Sequence, residues 1–282
     1  MDLQRTIASL PAVGDISIDK LLSQIVMAIN AVSLFFILIV ILFILQRLVF
    51  ALSLRLFGGK VIYISAWIGT PIHELSHAFF CLVFGHKIRR ILLFSPDQKG
   101  TLGYVTHSYN NRNLWQIMGN FFIGIAPLFG GLLSLYIVSW CLLDNAGELF
   151  LLLQSGLSDG ISKLQYENSH KLTSAVLEVI EQAYINEPIK VIVWGYCCAA
   201  ISLHLSPSAE DLKGISGGLL VFVLLCILLM LSNQFLQLPW FAQLGTMLNI
   251  ASVFYLIGIV LASLLLLPLV IGYLFVLGYR FR

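Results

Sequence analysis

Apolar residues fall in long unbroken blocks along this chain rather than in the one-sided stripe of a surface helix. Six blocks stand out, at residues 25–45, 61–84, 115–143, 189–205, 217–238 and 247–277, each rich in aliphatic residues. A helix needs about 20 apolar residues to cross a hydrocarbon core of about 30 Å, so the pattern predicts about six transmembrane helices. The first block continues to Phe57 with Arg47 and Arg55 as interruptions, which predicts an interfacial extension carrying snorkelling arginines. The second block is interrupted at Gly69-Thr70-Pro71. That triplet predicts a broken helix, with Thr70 as cap and Pro71 as first helical residue. Backbone groups freed there must find partners in protein or in a water-filled cavity.

Two connections between blocks carry patterns of their own. Residues 86–113 hold β-favouring runs at 88–94 and 101–109 on either side of Ser95-Pro96-Asp97-Gln98-Lys99-Gly100, the signature of a hairpin. In the 144–188 connection, Leu172, Ala175, Val176, Val179, Ile180, Ala183 and Tyr184 recur at helical spacing. An extramembrane amphipathic helix lying on the membrane or over the bundle is expected there. The fold class that follows is an all-α polytopic membrane protein of about six spans, with a small β-hairpin between the second and third. Residues 1–282 read as a single integral membrane domain.

Composition agrees with this reading. Hydrophobic residues make up 59% of the chain, charged residues 11%, and the mean hydropathy is +0.93. Soluble domains sit nearer half apolar and a quarter charged. The first twenty residues lack a basic stretch followed by a short apolar core, so the first span is expected to serve as an uncleaved anchor. A net charge of +2 gives no reason to expect nucleic acid as a partner. Ten basic residues fall on the side of the termini and the 86–113 connection, against six on the other side. Both termini are therefore expected in the cytoplasm, in a bacterial-type plasma membrane. The five cysteines lie in or beside apolar blocks without C-x-x-C spacing and read as small hydrophobes.

Candidate chemistry sits inside the second block, where His73-Glu74-Leu75-Ser76-His77 spells His-Glu-x-x-His. On a helix, positions 73 and 77 share a face one turn apart, so both imidazoles can reach one Zn2+ ion per chain. Glu74 lies beside them, placed to take a proton from water at the metal. Two histidines and a carboxylate within a span are costly to bury, which marks them as functional.

A catalytic zinc needs a third protein ligand. The end of the fourth block supplies two candidates, His204 and Asp211, on either side of Pro207. Asp211 leads, because an acid beyond a proline-terminated helix can turn back into the pocket. His204 stays open as the alternative; in a helical segment the two would share a face two turns apart. His86 and His107 are expected as surface or interface residues, and His170 is given no role.

These pieces resemble the site-2 protease family of intramembrane zinc metalloproteases. The resemblance rests on Gly69 to His77, the hairpin after it, the small-residue stretch from Gly119 to Pro127, and a later Pro…Asp motif at Pro207 and Asp211. It covers residues 60 to 215 or so, and it implies His73, His77 and Asp211 as zinc ligands with Glu74 activating water. The later motif departs from the family pattern: Ser206 precedes Pro207, and Leu212-Lys213 separate Asp211 from Gly214. The implied function is hydrolysis of peptide bonds in membrane-anchored protein substrates within the lipid bilayer. An extended substrate could add to the hairpin edge, and Asn120 could bond its backbone. The rival readings are an inactive scaffold of the same fold, a zinc hydrolase acting on a lipid-like substrate, and a transporter using the broken helix.

Overall fold

A computed structural model describes residues 18–96, 101–158, 166–236 and 240–280. The proposed anchor's leading segment, the hairpin tip at 97–100 and the side chain of His170 lie outside the described residues. Helices dominate. In chain order they are α1 (Ile18–Phe57), α2 (Tyr63–Val83), α3 (Leu114–Gly124), α4 (Ala126–Leu142), α5 (Ala146–Ser158), α6 (Tyr166–Asn186), α7 (Pro188–Ser202), α8 (Ile215–Leu236) and α9 (Trp240–Arg280). Between α2 and α3, β1 (Lys87–Leu92) and β2 (Tyr104–Ser108) form a two-stranded antiparallel sheet, the expected hairpin.

Two segments are long and apolar enough to cross a membrane, Ile37–Phe57 within α1 and Ile250–Val276 within α9. Only 28% of each lies buried inside the protein, so most of their apolar surface faces outward, as a lipid-facing helix requires. A third crossing results if the bent pair α3–α4 is taken as one. The first covers the later part of the first block and its extension to Phe57. Its arginines are accommodated by aromatics: Arg47 lies 4.7 Å over the Phe43 ring, and Arg55 donates to the Tyr273 hydroxyl at 3.0 Å.

The remaining blocks are less uniform than the sequence pattern suggests. The polar residues of α2 (Thr70, His73, Glu74 and His77) dilute its hydropathy. At 15 residues α7 is about 22 Å long, short of a hydrocarbon core. Helix α2 packs between α4 and α7, while α1 lies along α9. Leu42, Leu135, Ile201, Val253 and Tyr255 form the shared core. Its polar tips are satisfied, with Tyr255 bonding the Leu128 carbonyl at 3.0 Å and Trp194 bonding Ser139 at 2.9 Å.

Two backbone expectations are corrected. Helix α2 runs unbroken through Pro71, and Thr70 is 4% exposed with its hydroxyl unpartnered, so it caps nothing. Proline removes one backbone hydrogen bond from a helix, and here packing against α4 and α7 on both sides outweighs that loss. The break falls instead in the third block, where α3 and α4 meet at Ile125 with a bend of 57°. Pro127 sits in the first turn of α4, the position where a proline favours a new helix over continuation of the old one. The amphipathic repeat at 172–184 is α6, which buries Val179 and Ala183. Helix α5, unforeseen in the sequence, packs beside it.

Candidate metal centre

His73 and His77 lie one turn apart on α2 and converge with Asp211, from the turn between α7 and α8, on a single point. The Nε2 atoms of the two histidines are 3.2 Å apart. Asp211 places Oδ2 3.3 Å from His73 Nε2 and Oδ1 3.2 Å from His77 Nε2. Bonds of 2.0–2.1 Å at tetrahedral angles put ligand atoms about 3.3 Å from one another. The two nitrogens have the spacing of two such corners, and the carboxylate turns one oxygen to each imidazole, with one ligand atom from each of the three residues within 4.8 Å of the others.

The backbone fixes which nitrogen faces that point. His77 Nδ1 donates to the Ile123 carbonyl at 2.7 Å, and His73 Nδ1 donates to the His204 carbonyl at 2.7 Å. A carbonyl can only accept, so each Nδ1 carries a proton, and in its neutral form each imidazole presents a bare Nε2. Both carbonyls are free for a readable reason. Ile123 would have bonded the N–H of residue 127, which is a proline. His204 lies just past the end of α7, where helix carbonyls lack partners, and Pro207 stops the helix from continuing. Backbone orientation of metal-binding imidazoles is a usual feature of zinc sites.

Asp211 is held by a reciprocal pair of bonds. Its Oδ2 accepts from the Ser208 N–H at 2.7 Å, while the Ser208 hydroxyl accepts from the Asp211 N–H at 3.2 Å. This is the logic of a capping box. Burial pushes the Asp211 carboxyl up, but where the imidazoles are protonated their hydrogen bonds and charge outweigh it and hold the group below the usual carboxylate range.

His204, the alternative ligand, points elsewhere: its Nε2 meets the Ser65 hydroxyl at 3.1 Å and its ring lies against Phe50. It serves the cluster through its carbonyl alone. Gly124, at the end of α3, lets the Asp211 backbone approach closely, since a Cβ there would lie 2.6 Å from the Asp211 carbonyl oxygen. Gly124→Ala is expected to push Asp211 off its position and destabilise the fold by about 1–3 kcal/mol, the scale of overpacking. Zinc affinity and thermal unfolding of the purified variant check this; wild-type values for both would mean the contact yields freely.

Glu74 is 7% exposed and, with the two histidines, lines a cavity of about 770 Å³. The opposite wall is the hairpin, residues 101–107, together with Asn120 and Gly214. Gly103 lies against the Glu74 side chain, so the chain entering β2 passes beside the carboxylate. His107 also lines this cavity. Sequence reasoning overlooked three contributors. The Ser208-x-x-Asp211 spacing was a legible capping signal, Pro127 a legible break, and the pairing of His86 with His107 required the strand register.

Comparison of the chain with protein-family profiles, with curated proteins and with solved structures finds no match.

Proposed function

We propose that this protein is an intramembrane zinc metalloprotease that hydrolyses peptide bonds of membrane-anchored proteins. The observation carrying this reading is the convergence of two bare imidazole nitrogens and a carboxylate at 3.2–3.3 Å beside a buried glutamate. A divalent cation such as zinc, when bound, supplies Lewis acidity that activates water and polarises a carbonyl. His73, His77 and Asp211 hold it. Glu74 takes the proton of the attacking water and can return it to the leaving amine. The hairpin favours a peptide over a lipid-like substrate. The sheet has only two strands, so the outer edge of β2 is unpaired among the described residues, and an extended stretch can add to it. Asn120, on the same cavity, is placed to bond the backbone of that stretch.

The reading includes about six crossings, with α2, α7 and α8 completing those of α1, α9 and the bent pair. It takes the membrane to be a bacterial-type plasma membrane, with both termini cytoplasmic from the ten-to-six basic asymmetry. Cysteine labelling of the tagged termini should occur only from the cytoplasmic side; labelling from outside reverses the topology. Purified protein in lipid vesicles should cleave a single-span reporter with a Gly-Pro pair in its apolar stretch. Chelation should stop cleavage and about one equivalent of zinc per chain should restore it. Cleavage indifferent to chelator would sink the proposal.

A further inference from the structure

Outside the metal cluster, a pair of histidines stands at the cavity wall, with His107 lining it and His86 behind. His86 and His107 meet through their Nδ1 atoms at 3.0 Å. His86 is fixed by the end of α2: Gly85 adopts φ +69°, and the N–H groups of Gly85 and His86 bond the Leu82 and Cys81 carbonyls at 3.1 and 2.8 Å. That is a Schellman cap, with His86 at its second position past the helix. Buried, at 4% exposure, His86 stacks on Tyr109 and donates Nε2–H to the Gln116 carbonyl at 2.8 Å.

The protons along this chain of bonds follow from the acceptor at its end. The Gln116 carbonyl cannot donate, so His86 Nε2 carries a proton, and neutral His86 offers a bare Nδ1. His107 Nδ1 must then carry the proton between the rings. Its Nε2 is left as a bare acceptor with no partner among the described residues, on a ring that lines the cavity. Burial lowers both histidines, and the neighbouring His86 and His77 add to this at His107, which keeps the pair neutral. The strand geometry also departs from regularity here. Ile88 pairs with His107 and Arg90 with Thr106, so Arg89 is an extra residue in β1. Such a bulge re-aims side chains and is common beside active sites.

We propose that His107 Nε2 accepts a backbone N–H of the extended substrate, and that His86, anchored on the Gln116 carbonyl, is a positioning residue holding His107 in the tautomer able to accept. The role deepens the protease reading and rests on it. An acceptor on the strand beside Glu74 would fix how far an added strand slides along β2, and so which peptide bond reaches the metal.

The tautomer is testable without any activity. Nitrogen NMR of 15N-histidine-labelled, zinc-loaded full-length protein in lipid discs should show His107 protonated at Nδ1 and bare at Nε2, with its signals assigned by their loss in His107→Gln. His86→Phe keeps the stacking on Tyr109 but removes the bare nitrogen, and should shift His107 towards the Nε2-protonated form. A wild-type His107 already protonated at Nε2 overturns the proposal. With the single-span reporter, His107→Ala should raise KM about tenfold, the scale of one hydrogen bond to a ligand, with zinc content and kcat near wild type. His107→Gln, which restores an acceptor near the Nε2 position, should recover most of the loss. Wild-type cleavage together with an unaltered KM in His107→Ala overturns this role alone. Absence of cleavage by zinc-loaded wild-type protein overturns the protease reading and the role with it.

Discussion

Glu74→Gln is expected to leave zinc bound and to lower cleavage of a membrane-anchored reporter by at least about a hundredfold, the usual scale for losing a general base. The substitution keeps the volume, the helix and both histidines. Glu74 is 7% exposed, and exchanging a buried carboxylate for an amide removes a desolvation cost, so the fold should not suffer. Loss of activity would then trace to the missing proton acceptor. The measurement pairs metal content with reporter cleavage in vesicles. Retained zinc with lost cleavage is the signature of the enzyme reading. Retained zinc with undiminished cleavage would show that another group takes the proton. If the wild-type and variant proteins are equally inert, the scaffold reading leads instead.

How much of this was legible in the sequence depends on how local each feature is. The pentad at 73–77 was, because helix periodicity alone puts two histidines on one face. The hairpin was, because its turn residues separate two β-favouring runs. The apolar face of α6 was legible for the same reason, with the exception of Tyr184, which is 51% exposed. Features that depend on competition between local and tertiary terms were not. Pro71 and Pro127 carry the same local penalty, yet one sits inside a continuous helix and the other begins a new one. The outcome was decided by neighbours: α2 is packed on both sides, while the break at Ile125 frees a carbonyl that His77 then uses.

Asp211 shows the same division. Pro207 marked the end of α7, but whether Asp211 or His204 turned inward depended on the geometry of the intervening turn. The decisive bond, from the Ser208 N–H to the Asp211 carboxylate, was implicit in a serine three residues before an acid. The His86–His107 pair depended on a Schellman cap, a strand register and a bulge acting together, none of which single-residue patterns reveal. The candidate site divides similarly. The grouping of His73 and His77 follows from residue type and spacing, whereas the cavity wall at residues 101–107 exists only once the hairpin folds.

Asp211→Asn is expected to weaken zinc binding by at least about a hundredfold, beyond the ten- to hundredfold range seen for groups that only orient ligands. Asparagine keeps the size of the side chain and can still accept the Ser208 N–H. Its amide is neutral, however, and with the oxygen held by Ser208 the NH2 group takes the Oδ1 place beside His77, donating into the Nε2 atom that must face a cation. Cleavage should fall with the metal, and added zinc should restore both together. His204→Gln provides the contrast. It removes the imidazole but leaves the backbone carbonyl that orients His73 at 2.7 Å, and its amide can still reach Ser65. Zinc affinity should therefore change by less than about tenfold. Titration of the metal-free proteins with zinc separates the two directly. A large loss in His204→Gln beside a small one in Asp211→Asn would make the imidazole the third ligand. The turn at 203–211 would then have to rearrange on metal binding, with Asp211 leaving the two histidines it now joins.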